Sequence, residues 1–191
     1  AAALINSAKK PFIIFGQGVL LGEAEQEFKA FVEKSGIPAA WTILGAGAIP
    51  TDHPLNVGMV GMHGNYGPNV QTNSCDVLIA IGMRFDDRVT GRLDKYAKQA
   101  KVVHLDIDPA EIDKNVKAEV PVWGDCKETL PLLTALIEEK QHTEWHNEFK
   151  AFDAIELKDL IEPELNPGTG DITMGEVINQ LNVLTKGDAI I

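Results

Sequence analysis

The sequence contains no segment that is long and apolar enough to cross a membrane. Its uninterrupted apolar runs, such as residues 77–81, have only five residues, whereas a transmembrane helix needs about 20. The first residues, AAALINSAKKP, also lack the order of basic, apolar and cleavage regions that marks a signal peptide. We therefore predict no membrane partner, and we expect this segment to form a helix that leads into a strand.

Cysteine is scarce, and basic residues are outnumbered. The two cysteines, Cys75 and Cys126, do not form a disulfide framework or a Cys-x-x-Cys site, which predicts two buried thiols in a reducing, cytoplasmic setting. The chain has 17 Lys and Arg against 28 Asp and Glu, and its net charge is −11. Because this charge repels phosphate backbones, we expect no nucleic-acid partner.

Patterns typical of a metal site or a nucleophile are also missing. His142 and His146 are four residues apart, but the glutamate-flanked motif and the third ligand of a zinc site are absent. His63 has no second histidine or cysteine near it, and we interpret it as a loop histidine. We predict that this chain holds no metal and no catalytic residue of its own.

Short continuous apolar runs alternate with longer amphipathic stretches along the chain. Such runs predict buried parallel strands, and the stretches between them predict helices on both faces of a sheet. We therefore predict a Rossmann-like α/β three-layer sandwich with five or six parallel strands. The predicted strands are residues 11–15, 37–41, 76–82, 101–107 and 120–124, and the predicted helices are residues 23–35, 69–74, 126–140 and 145–160.

Three further stretches differ from this alternation. The Gly- and Pro-rich residues 45–68 predict only short structure, and residues 161–170, with two prolines and two glycines, are typical of a linker. Residues 172–184 predict another amphipathic helix, and residues 188–191 predict the start of a strand. We predict one domain over residues 1–160, a linker over 161–170, and the truncated start of a further domain over 171–191.

Most predicted strands end in a glycine or a small polar residue. In an open parallel sheet these ends line one crevice, where glycines and helix starts accommodate phosphate groups and carboxylates accept hydrogen bonds from sugar hydroxyls. A single glycine predicts only a turn, so the hypothesis depends on the joint pattern. The standard dinucleotide fingerprint is absent, because Gly16, Gly18 and Gly22 are spaced one residue too widely. This disfavours a nicotinamide-dependent dehydrogenase.

The segment GMRFDDRVTG, residues 82–91, places four charged side chains beside this crevice. One interpretation is a solvated loop whose ion pairs contribute little. We favour a second one, in which Arg84 and Arg88 hold a diphosphate or carboxylate while Asp86 and Asp87 orient them. Loops at the carboxyl ends of strands often carry function.

The segments GMHGNYGPN, DVLIAIGMRFDDRVTG, HLDIDPAEIDKN and VWGDC closely resemble the middle domain of the acetolactate synthase (acetohydroxyacid synthase) large catalytic subunit. The resemblance covers residues 1 to about 141, and RFDDRVTG is its most specific part. It implies a three-domain, thiamine-diphosphate-dependent enzyme whose middle domain binds FAD without net redox use. The activating glutamate and the Mg²⁺ site would lie in the other two domains, outside this chain.

The resemblance also implies individual contacts. The implied FAD contacts are Gly16, Gln17, Gly18, Thr42, Ile43, Leu44, Gly61, Met62, His63, Gly64, Gly82, Met83, Arg84, Asp86, Arg88, Val89, Asp106, Ile107, Asp108, Glu111, Gly124, Asp125 and Cys126. The family often has glutamate and asparagine in place of Asp106 and Glu111. Met62, Arg84 and Asp86 are also implied to face the substrate channel, where the arginine would help to receive a 2-keto acid carboxylate.

The implied reaction is the thiamine-diphosphate-dependent decarboxylation of pyruvate and condensation with pyruvate or 2-ketobutyrate, in branched-chain amino acid synthesis. The implied enzyme self-associates as a dimer or tetramer and binds a small regulatory subunit, and this chain alone is expected to be inactive. Alternatives are a domain of a pyruvate oxidase or glyoxylate carboligase, a non-catalytic dinucleotide-binding module, and an NAD-dependent deacylase or transferase.

Overall fold

The computed structural model describes residues 1–189 and contains one six-stranded parallel sheet in the order β3-β2-β1-β4-β5-β6. The strands are β1 (Pro11–Phe15), β2 (Ala39–Trp41), β3 (Asn56–Met59), β4 (Val77–Ile81), β5 (Lys101–Asp106) and β6 (Val120–Trp123). All neighbouring strands are parallel. This confirms the predicted sheet. Each of the five predicted strands begins and ends within two residues of its predicted bounds.

Helices connect the strands and cover both faces of the sheet. They are α1 (Ala2–Ser7), α2 (Gln17–Leu21), α3 (Glu25–Ser35), α4 (Tyr66–Gln71), α5 (Asp87–Thr90), α6 (Cys126–Leu136), α7 (Thr143–Glu156), α8 (Glu162–Leu165) and α9 (Met174–Thr185), with a 3₁₀ turn at Ile43–Gly45 and a π-helical turn at Leu157–Ile161. No helix within residues 1–189 has the length and apolar character that a membrane span requires.

The alternation of side chains along β1 divides the core into two layers. Ile13 and Phe15 face the layer formed with α1, α3 and α6, and Phe12 and Ile14 face the layer that contains part of α7. Phe12 and Phe15 are fully buried, and burial of such a side chain stabilises the fold by about 1.5–3 kcal/mol. Because both faces of the strand are covered, its sequence is apolar throughout.

Some predictions differ from the observed elements. The edge strand β3 was not predicted, because only Val57 among its four residues is buried and no apolar run marks it. The predicted linker begins in a helix, since α8 extends to Leu165. Of the strand predicted at 188–191, residues 188 and 189 have no regular structure and the other two lie outside the described residues. The proposed domain boundaries stay a prediction.

The strand order creates a crevice at the carboxyl edge of the sheet. The chain proceeds from β1 through β2 to β3 in one direction, and then β4 pairs with the opposite side of β1, with Phe15 next to Ile81. Connections that leave β1 and β4 therefore diverge to opposite sides. In open α/β sheets this switch point is where ligands bind.

Candidate functional site

A cleft of about 660 Å³ opens at the carboxyl edge of the sheet. This volume lies within the range of small-molecule and cofactor sites, which is about 300–1,000 Å³. Its walls come from segments at the ends of five of the six strands, all except β3. The lining residues are Gln17, Gly18, Leu21, Gly22, Thr42, Ile43, Leu44, Gly82, Met83, Arg84, Asp86, Arg88, Val89, Asp106, Ile107, Asp108, Glu111, Asp125 and Cys126.

The turns after β1 and β4 meet through glycines at the base of this cleft. A Cβ atom on Gly16 would lie 2.6 Å from the Gly82 oxygen, and one on Gly18 would lie 2.6 Å from the Gly82 Cα. The Gly16 N–H donates to Ile81 O at 3.0 Å, and the Gly18 N–H donates to Gly82 O at 2.8 Å. Because both amides are already paired, these two glycines permit close packing of the turns and do not offer N–H donors to a pyrophosphate.

Carboxylates from two strand ends are held in fixed orientations along the cleft. Asp106 is 7% exposed, and one of its oxygens accepts a hydrogen bond from the Asp108 N–H at 2.8 Å. Asp125 caps α6 by accepting from the Lys127 N–H at 2.8 Å. Each carboxylate retains lone pairs that these turns do not use. They can accept hydrogen bonds from the hydroxyl groups of a sugar or ribityl chain.

Arginines from the loop after β4 contribute positive charge. Arg84 and Arg88 both line the cleft, and the Arg84 Nη2 lies 3.6 Å from an Asp86 oxygen. Asp86 also caps α5 by accepting from the Arg88 N–H at 3.1 Å. Asp87 is exposed and forms no ion pair with either arginine within the described residues, so it does not orient them as predicted. The cleft therefore offers two guanidinium groups to an anion.

Four apolar side chains form an exposed rim around the cleft. Leu21, Ile43, Leu44 and Ile107 are between 57% and 74% exposed, and all four line the cleft. Clustered exposed apolar side chains mark interaction sites more often than scattered ones. Together with the arginines, they suit a ligand that combines flat rings with a charged group.

Seventeen of the predicted contacts line the cleft, and six do not: Gly16, Gly61, Met62, His63, Gly64 and Gly124. The segment 61–64 lies next to the cleft, because the Met62 N–H donates to Arg88 O at 2.8 Å.

Two lining residues, Leu21 and Gly22, were not among the predicted contacts. Leu21 belongs to the short apolar run VLL, which predicts a core residue. Gly22 leaves room for the capping oxygen of Asp125, since a Cβ on Gly22 would lie 2.9 Å from that oxygen.

The two thiols are buried, as predicted. Burial raises the pKa of Cys75 and that of Cys126 to about 12, so both are neutral at physiological pH. Burial also lowers the pKa values of His142 and His146. Within residues 1–189 no group of three or more His, Cys, Asp or Glu side chains is arranged to hold a metal ion.

Comparison with known proteins identifies the family. Residues 1–133 match the family described as thiamine pyrophosphate enzyme, central domain. The chain belongs to this family. The matched region extends from before β1 into α6 and therefore includes every segment that lines the cleft.

Relatives of this central domain share a consistent name. The chain is 42% identical over 196 residues to a probable acetolactate synthase large subunit of Methanocaldococcus jannaschii, an alignment that covers 100% of this chain and 33% of that protein. It is 43% identical over 159 residues to the acetolactate synthase large subunit of Corynebacterium glutamicum, covering 81% and 25%, and 48% identical over 137 residues to an acetolactate synthase of Mycobacterium bovis, covering 72% and 22%. The chain thus spans a third or less of the length of these relatives.

Proposed function

We propose that this central domain is part of an acetolactate synthase large subunit and that its cleft binds FAD. The observation that carries the cofactor proposal is the cleft at the β1/β4 switch point, lined by segments from five strand ends. The names of the relatives support the enzyme.

The residues of the cleft fit the chemical groups of FAD. FAD has two ring systems, hydroxyl groups on a ribityl chain and a ribose, and a diphosphate. The exposed rim offers apolar surface to the rings, Asp106 and Asp125 offer acceptors to hydroxyls, and Arg84 and Arg88 offer donors to the diphosphate. The glycine contact at the base lets the turns after β1 and β4 pack closely. Bound FAD would supply an isoalloxazine ring, and the proposed reaction makes no net use of its electrons.

In the whole enzyme, we propose that pyruvate is decarboxylated and joined to pyruvate or 2-ketobutyrate. Thiamine diphosphate and Mg²⁺ would be bound by parts of the protein outside this chain. Within the chain, Arg84 would have N–H groups left for the carboxylate of a 2-keto acid beside its contact with FAD, since a guanidinium has five N–H donors and this side chain is 64% exposed. Self-association, a regulatory subunit and a cytoplasmic setting stay predictions.

A flavin titration tests the cofactor proposal. FAD is titrated into this chain and into the full-length protein while flavin fluorescence is followed. We expect saturable binding, and we expect Arg84→Ala to weaken it about tenfold, since a charge-assisted hydrogen bond is lost. Arg92→Ala is the matched control, because Arg92 pairs with Asp94 and does not line the cleft.

The titration also defines how the proposal fails. If neither protein binds FAD saturably below about 1 mM, the cleft is not a FAD site. An equal loss of affinity in the Arg84→Ala and Arg92→Ala proteins would show that the effect is one of net charge and not of the cleft.

A further inference from the structure

Arg84 projects from a stretch of backbone that is held on both sides. The residues before and after it, Met83 and Phe85, are each 3% exposed. The His104 Nε2–H donates to Met83 O at 3.1 Å, and the Asn115 Nδ2–H donates to Phe85 O at 2.7 Å. The backbone carbonyl groups of both neighbours of Arg84 therefore accept hydrogen bonds from side chains in distant parts of the sequence.

The two donors reach this backbone from different elements. His104 is on β5, is fully buried, and packs its ring edge-on to Phe85 with 5.0 Å between ring centroids. Asn115 is in the connection between β5 and β6 and is exposed. Neither side chain lines the cleft. Asn115 can therefore affect a ligand through the backbone around Arg84, whereas the His104 Nε2 also lies 3.7 Å from an oxygen of the cleft residue Asp106. For His104, the order of the Arg84 backbone and side chain separates the two routes.

The direction of Arg84 depends on this backbone. Its ion-pair partner Asp86 is 3.6 Å away, which exceeds a normal charge-assisted hydrogen bond of about 2.7–2.9 Å and constrains the guanidinium weakly. Arginine loses much conformational freedom when it binds an anion, and a fixed attachment point reduces that loss. The buried side chains of Met83 and Phe85, and the hydrogen bonds to their carbonyl groups, provide such an attachment point.

We propose that Asn115 and His104 are positioning residues that aim Arg84 into the cleft and raise its affinity for an anionic group of the ligand. This inference rests on the proposed function, since it takes the ligand to be FAD. Neither residue was predicted as a site residue, because each acts through the backbone of another loop.

A double-mutant cycle tests the proposal. Asn115→Leu removes the donor, keeps a similar shape and adds no charge at an exposed position. We expect it to weaken FAD binding about fivefold in the otherwise unchanged protein and less than about twofold in the Arg84→Ala protein. Asn73→Leu is the matched control, because Asn73 is also exposed and bonds to another loop, at the Ala97 N–H, away from the cleft.

A second measurement needs no ligand. In the free chain, ¹⁵N relaxation should show lower order for the Arg84 backbone amide and side-chain Nε–H in Asn115→Leu, and unchanged order in Asn73→Leu. Unchanged order in Asn115→Leu, or the same loss of FAD affinity with and without Arg84, would overturn the proposal. If the unchanged protein binds no FAD, the proposed function fails while the relaxation result still decides the positioning role.

The histidine provides an independent variant. His104→Gln retains a side-chain N–H near the Nε2 position, whereas His104→Leu does not. We expect FAD affinity and Arg84 order to be retained better in the glutamine variant. Equal FAD affinity and equal Arg84 order in the two variants, if both fold, would exclude His104 from the positioning role. If the leucine variant does not fold, His104→Gln is compared with the unchanged protein. A loss of Arg84 order in His104→Gln would then count against the role.

Discussion

The substitution Gly82→Ala should strongly destabilise this protein, because Gly82 combines a left-handed backbone with a close backbone contact. Its φ is +56°, and a Cβ there would lie 2.8 Å from the Gly18 Cα and 2.9 Å from the Val19 nitrogen. Carbon atoms in contact normally lie about 3.5–4.0 Å apart. The turn after β1 would have to move by roughly 1 Å, and the Gly18 N–H to Gly82 O bond would weaken.

The magnitude follows from two contributions. A left-handed conformation costs an alanine about 1–2 kcal/mol, and forced displacement of well-packed atoms costs about 1–3 kcal/mol. We therefore expect the free energy of unfolding to fall by about 2–5 kcal/mol. Domains are usually stable by about 5–15 kcal/mol, so the variant should still fold at low temperature.

Urea unfolding followed by circular dichroism measures this loss. Gly47→Ala is the control, because Gly47 has a positive φ of +95° but no heavy atom within 4 Å of its Cβ position. It carries the backbone cost without the contact. If the two variants lose the same free energy, or if Gly82→Ala loses less than about 1 kcal/mol, then the glycine contact does not determine how these turns pack.

Two further variants test the burial and capping described above. Burial raises the pKa of Cys75 to about 12, so the folded state keeps a proton that the unfolded state releases at lower pH, and stability should fall as the pH rises above about 9. Between about pH 8 and pH 10, the free energy of unfolding measured in urea should fall by about 1.5 kcal/mol less in Cys75→Ala than in the unchanged protein. Identical slopes against pH would contradict this. Asp125→Ala should cost about 1 kcal/mol of stability through the lost cap of α6 and should also weaken FAD binding. Asp94→Ala, which removes an exposed carboxylate outside the cleft, should do neither, and equal effects of the two would refute the capping role.

Several features of this protein can be predicted from the sequence because they depend on local pattern. A strand such as β4 is buried on both faces, so its residues are all apolar and stand out from the amphipathic helices around it. Gly36 ends α3 in a left-handed conformation, as a glycine after an amphipathic run predicts. The charged loop after β4 is recognisable because four charges follow a buried strand directly.

Other features depend on which elements become neighbours, and local pattern does not encode this. The edge strand β3 carries little apolar signal because little of it is buried. The N–H groups of Gly16 and Gly18 donate to acceptors in β4 and the turn after it, so their pairing depends on β1 and β4 being neighbours in the sheet. Asn115 is 30 residues from Phe85, whose carbonyl it holds. The sequence by itself therefore determined the elements and the chemical groups at their ends, whereas the tertiary structure decided which of those groups meet, because contacts between distant segments depend on strand order and packing.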